Sequence, residues 1–179
     1  MKSDIVPLLH NIMQKTISDK QCQATGCGII QCLALNEKRS GVLQTSGLVD
    51  DVVCAMERHL KKKQVCISAI GACVNLAQNP KCSVELAEKG IVDLFVVLHK
   101  RFPEKAKLTL KIATCLMNMF LDPSCITHLN EQSVHLIQEM IISNPKDQGV
   151  VDKCLTCLSS IVRTSSSLMG TVSLQDIIK

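Results

Sequence analysis

Eleven cysteines and five histidines carry most of the potential chemistry of this chain, and their spacing decides what they can do. Cys154-Leu-Thr-Cys157 has the spacing of a redox dithiol or of half a zinc site. No second Cys or His pair lies at a suitable distance, however, and the segment reads as an apolar helix face, so its expected role is core packing. Cys22, Cys27 and Cys32 step by five residues, which carries successive thiols around a helix rather than onto one metal ion. His10, His59, His99, His128 and His135 are scattered and form no His-x-x-x-His or His-Glu-x-x-His pair. The chain has no Gly-x-Gly-x-x-Gly, no Walker-type loop and no Gly-x-Ser-x-Gly elbow. Gly26-Cys-Gly28 falls inside a helical stretch, where the glycines are expected to let helices pack closely. The expectation is a protein that is not an enzyme, with no catalytic residue, no metal and no cofactor.

What organises the sequence is repetition. Gly28-Ile-Ile-Gln-Cys-Leu-Ala-Leu-Asn36 and Gly47-Leu-Val-Asp-Asp-Val-Val53 return as Gly71-Ala-Cys-Val-Asn-Leu-Ala-Gln-Asn79 and Gly90-Ile-Val-Asp-Leu-Phe-Val96, every matched position offset by 43. A weaker third copy places Thr114, Asn118, Asp122 and Ser133 at 43 from Gly71, Asn75, Asn79 and Gly90, and a fourth begins near Ser173 after a spacing of 40. Self-similarity at this period marks a solenoid, whose units bury their apolar faces only by stacking on one another. The alternative is a helical bundle with chance similarities. A bundle has no reason to keep a loop glycine at constant distance from a helix glycine, or to repeat Leu33-Ala34 as Leu76-Ala77.

Composition agrees with an ordered array. An apolar fraction of 46% with 20% charge over 179 residues suffices for one substantial core. No apolar run reaches the roughly 18 residues of a spanning helix, and Met1-Lys-Ser-Asp-Ile lacks the layout of a secretory signal. Membrane insertion is not expected, and the expected location is intracellular, in cytoplasm, nucleus or both. The cysteines then read as small core residues in a reducing compartment. A net charge of +4, no Trp, no Tyr and three Phe leave little surface for stacking bases, so nucleic acid is not an expected partner.

Each repeat divides into three helical pieces. From Gln64 to Ala77, apolar residues at Val65, Ile67, Ala69, Ile70, Cys73, Leu76 and Ala77 include the i, i+3, i+4 spacings of an amphipathic helix, which Asn79-Pro80 ends. A short helix follows over 81–89, Gly90 supplies the permissive backbone for a sharp bend, and a second long helix runs over 91–101. The same grammar predicts helices over 20–36, 37–45 and 48–59, and again over 104–121, 124–131 and 134–143. No segment shows strand-like alternation bounded by hairpin turns.

A short helix ending in Gly, a helix reading Ile/Leu-Val-x-x-Val/Phe-Val and a long helix ending Asn-Leu-Ala resemble the armadillo repeat, familiar from β-catenin and importin-α. The resemblance implies an all-α, right-handed superhelical solenoid forming a single domain over 1–179. It would hold about three full repeats (37–79, 80–122 and 123–164) between partial units at 1–36 and 165–179. The stretch 4–16 resembles a second helix whose first helix is missing, and 173–179 the start of another. In the family the third helices line a concave groove, where importin-like members carry a Trp and, four residues on, an Asn that clamps a peptide backbone. The Trp positions match Gly28, Gly71 and Thr114 here, so the aromatic shelf is absent. The Asn positions match Cys32, Asn75 and Asn118, leaving two candidate amide clamps. The same amides could equally cap carbonyls of a neighbouring helix, and small residues at Gly28 and Gly71 could admit a bulkier ligand such as a partner helix.

Charge adds a second candidate surface. Arg58-His-Leu-Lys-Lys-Lys63 joins the second and third helices of one repeat, and His99-Lys-Arg101 with Lys105 and Lys107 occupies the equivalent place in the next. Arg58, Lys61, Lys62, Lys63, Lys100 and Arg101 are expected to form a basic rim that attracts an acidic segment and speeds its encounter, or simply to be solvated loops. The function expected is a non-enzymatic adaptor or scaffold that binds a protein or peptide partner in the groove. Two others stay open. One is a spacer or oligomerisation segment that self-associates through uncapped terminal helices, and the other is a regulatory arm of a catalytic subunit.

Overall fold

The computed structural model describes residues 5–35, 43, 46–102 and 106–170. Asn36, all of the short helix expected over 37–45 except Leu43, Pro103, Lys105 and the helix start over 173–179 lie outside them. Of the described residues 80% are helical and none is in a strand, which makes the fold class all-α.

The helices in chain order are α1 (Ile5–Lys15), α2 (Lys20–Ala34), α3 (Leu48–Arg58), α4 (Lys63–Leu76), α5 (Pro80–Glu88), α6 (Ile91–Arg101), α7 (Ala106–Met119), α8 (Pro123–Ile126), α9 (Glu131–Ser143), α10 (Gln148–Thr164) and α11 (Ser166–Met169). Their boundaries follow local chemistry. Asn79 and Asp122, offset by 43, both stand in extended backbone as N-caps; their side chains accept from the amides that follow, and each is succeeded by Pro at the first helical position. Gly47 (φ 74°) and Gly90 (φ 72°), also offset by 43, are left-handed N-caps of α3 and α6, a conformation that a Cβ disfavours.

The third copy departs from this pattern. Ser133, at the register of Gly90, lies inside α9 and closes a capping box with Asn130, whose own backbone is extended. The chain must straighten at Asn130 to enter α9, so the short helix expected over 124–131 is cut to Pro123–Ile126.

The chain divides into two compact units, Met1–Lys89 and Gly90–Lys179. The dividing point falls inside the unit expected over 80–122, because α5 packs on α3 and α4. In the first unit α2 lies against α4, the most extensive helix pair, with α1 and α3 completing the packing. Cys27, Ile30, Ala69, Ile70 and Cys73 are fully buried on these helices. Each large aliphatic side chain removed from water in this way contributes about 1.5–3 kcal/mol. In the second unit α7 lies against α10, joined by α6, α8 and α9. Among the described residues no helix is long and apolar enough to cross a membrane.

Candidate functional site

The residues expected to line a peptide groove are placed unevenly. Asn75 on α4 is buried, and its Nδ2 donates to the backbone carbonyl of Gln31 on α2 at 2.8 Å. It also borders a cavity of about 200 Å3 beside Leu35, Leu43 and Gln78. The carbonyl-capping alternative is therefore realised at Asn75, and this donor is committed to holding α2 and α4 together. Gly71 is buried within α4 and offers no surface for a bulky ligand. A Cβ at Gly28 would meet nothing within 4 Å, so the close helix packing expected there is absent; at Gly26 it would meet Met13 Sδ at 2.6 Å, and close packing is real. Cys32 is exposed on α2. In the second unit Thr114 is half-buried and returns its hydroxyl to the Leu110 carbonyl at 2.7 Å, and Asn118 is half-buried on α7.

The basic residues make a better defined feature. Lys61, Lys62 and Lys63 are exposed where α3 turns into α4, and together with Lys20, Gln21 and Gln64 they line a cleft of about 300 Å3 whose floor includes Ala24 and Val65. The cleft lies where α2 and α4 begin. Asp19 caps α2, its side chain accepting from the amides of Gln21 and Cys22, and those bonds hold its carboxyl below the ordinary range. Lys62, the N-cap of α4, makes no side-chain cap bond, so the positive end of the helix dipole adds to the lysines. None of the four lysines forms an ion pair with another described residue. Arg58 is exposed beside this segment, and Lys100 and Arg101 are exposed at the end of α6 in the second unit.

Lys20 was not singled out in the sequence, although it stands at 43 before Lys63 and the register alone points to it. A second missed group is Asp51. Its buried carboxylate accepts from Gln14 Nε2 at 2.7 Å and lies 2.9 Å from His10 Nδ1, both on α1. Burial pushes the Asp51 carboxyl up, against the opposing pull of these two bonds. The signal was present: the same register holds Leu8, Leu94 and Ile137 in the other copies. His99 is the third. It is buried on α6, its Nδ1 has no hydrogen-bond partner among the described residues, and burial holds its pKa below the ordinary value.

The thiols match a packing role. Cys154 and Cys157 are buried side by side on α10, and desolvation pushes Cys154 up to about 12 and Cys157 well above its ordinary value. Cys27 is likewise raised to about 12 and Cys82 to about 11 by burial, so these are protonated, unreactive thiols at neutral pH. Among the described residues no group of three or more His, Cys, Asp or Glu converges to hold a metal ion.

No family model, no curated protein and no solved structure matches this chain. The functional reading therefore rests on the residues themselves.

Proposed function

We propose that the chain is an armadillo-type helical repeat protein acting as a non-enzymatic interaction module, and that it holds an acidic segment of a partner protein across the beginnings of α2 and α4. The observation that carries this reading is the cleft of about 300 Å3 lined by Lys20, Lys61, Lys62 and Lys63 with no acidic lining residue. Four ammonium groups on one concavity create a local positive potential that attracts carboxylates, accelerates encounter and orients the ligand. The repeat reading draws support from two features that recur at 43 residues, the left-handed glycines Gly47 and Gly90 and the N-cap–proline pairs Asn79-Pro80 and Asp122-Pro123. Arg58, exposed in the same unit, adds to the basic character of this segment.

A fluorescent glutamate-rich peptide titrated in an anisotropy assay tests the reading. The triple variant Lys61→Glu/Lys62→Glu/Lys63→Glu is expected to bind about tenfold or more weakly than the wild type, and wild-type affinity to fall steeply with salt because the charges are solvent-facing. A control with the same net charge reverses Lys81, Lys107 and Lys146, exposed lysines that do not line the cleft. Equal loss in the control, or no loss in the triple variant, would refute the assignment.

A further inference from the structure

The cleft at the beginnings of α2 and α4 is bracketed by the same pair of residues from two helices. Lys20-Gln21 opens α2 and Lys63-Gln64 opens α4, 43 positions apart, and all four residues are exposed and line the cleft together with Lys61 and Lys62.

Hydrogen-bond donors converge here in excess. Each ammonium carries three N–H groups and each glutamine amide two. No acidic residue lines the cleft, and none of the four lysines forms an ion pair with another described residue. Asp19, adjacent in sequence to Lys20, lies outside the lining, and its carboxylate accepts from the backbone amides of Gln21 and Cys22. The concentration of charge belongs to this helix pair and is not a property of every copy of the repeat. At 43 positions beyond Lys61, Lys62 and Lys63 the sequence has Glu104, Lys105 and Ala106.

Space decides which anion answers that charge. An extended partner segment turns alternate side chains to opposite faces, so two carboxylates pointing the same way stand about 7 Å apart. A cleft of about 300 Å3 takes few side chains at that spacing, and each carboxylate brings one negative charge and two oxygens. A phosphorylated serine or threonine brings a charge of about −1.5 to −2 and three strong acceptor oxygens on a single side chain. The ammonium of lysine is a compact point charge with three rotatable donors, which suits a phosphate approached from several directions. Four such groups around one small concavity are neutralised more completely by the denser anion.

We infer that the acidic segment carries a phosphorylated serine or threonine, and that its phosphate is held in the cleft between Lys20 of α2 and the run Lys61, Lys62 and Lys63, with the side-chain amides of Gln21 and Gln64 donating to the remaining oxygens. The inference rests on the reading of the cleft as a site for an acidic partner segment and names the chemistry that the site selects.

Three fluorescent peptides test it by anisotropy, alike in all but one position: phosphoserine, glutamate or serine in an otherwise glutamate-containing segment. The phosphoserine peptide is expected to bind about fivefold or more tightly than the glutamate peptide, and the serine peptide most weakly. Lys20→Gln and Lys63→Gln remove one charge each at exposed positions, and circular dichroism checks that both stay folded. Each is expected to bring the phosphoserine peptide to within about twofold of the glutamate peptide. Equal wild-type affinity for the phosphoserine and glutamate peptides, both bound more tightly than the serine peptide, would overturn the phosphate inference and leave the acidic-segment reading standing. A phosphoserine advantage kept in full by both variants would also overturn it, since the phosphate would then lie elsewhere. Binding of none of the three peptides would overturn both readings. Phosphatidylcholine vesicles are run with and without a phosphoinositide; capture by the phosphoinositide vesicles without binding of the phosphoserine peptide would overturn the inference in favour of a membrane surface.

Discussion

The side-chain amide of Asn75 donates to the backbone carbonyl of Gln31, 44 positions earlier in the chain, across 2.8 Å between α4 and α2. The bond is part-buried and joins the two most extensively packed helices of the first unit, so its loss falls on the contact between α2 and α4. Asn75→Ala is expected to lower stability by about 1–2 kcal/mol in urea unfolding. Its affinity for a glutamate-rich peptide should stay near the wild-type value. A large loss of affinity at unchanged stability would instead assign Asn75 to ligand binding.

His99 stands at a register that holds Met13 and Met56 in the two preceding copies, and all three side chains are buried. It is the one whose polar atom, Nδ1, has no partner among the described residues. His99→Met is therefore expected to raise stability by about 1 kcal/mol at neutral pH through removal of an unsatisfied buried group. The pH dependence gives a second readout. Burial lowers the folded-state pKa of His99, so the unfolded chain binds the proton more readily; this contribution to stability is present above the unfolded value of about 6.5 and is lost as pH falls below it. The wild type should lose stability between about pH 7 and 5 more steeply than His99→Met.

Asp51 carries the opposite sign. Its folded-state pKa is raised by burial, so the folded chain holds the proton more tightly, and its contribution is fully present below the ordinary carboxylate range and declines as pH rises through the raised value. Asp51→Asn keeps the shape and an oxygen for Gln14 without the buried charge. Measured by thermal unfolding, this variant should gain on the wild type as pH rises from about 4 to 7. Asp51→Ala removes the bonds to Gln14 and His10, whose side chains then turn to water, and should cost about 1 kcal/mol at pH 7.

The two left-handed glycines should differ in their tolerance. A Cβ at Gly90 would meet only Asp93 Oδ2 at 3.8 Å, so Gly90→Ala is expected to cost the backbone penalty alone, about 1–2 kcal/mol. At Gly47 the Cβ would also stand 2.9 Å from the His10 ring, which is tethered to Asp51, and relief of that clash requires breaking the tether. Gly47→Ala should be the more destabilising of the two. Gly28→Ala, helical and meeting nothing within 4 Å, should stabilise by up to about 1 kcal/mol. Parallel chemical denaturation of the three variants checks the ranking.

Local chemistry is legible in the sequence. Asn79-Pro80, Gly90 and the apolar spacing after them announce where helices begin, and α6 matches its expected span of 91–101 at both ends. The short α8 was not legible, because its stop depends on how Asn130 enters the next helix. The basic run at 58–63 was visible as charge, but its convergence with Lys20 into one cleft was not, since 40 or so residues separate the two in sequence.

The order of residues by itself determined the helical class and the period of 43, because capping, glycine conformation and apolar spacing act within a few positions along the chain. Tertiary structure alone decided which of two equivalent positions is core and which is surface. Ile12 and Leu98 occupy one register, yet one is 45% exposed and the other fully buried. Burial belongs to what packs against a residue, and that neighbour comes from a distant part of the chain, outside the reach of any local pattern.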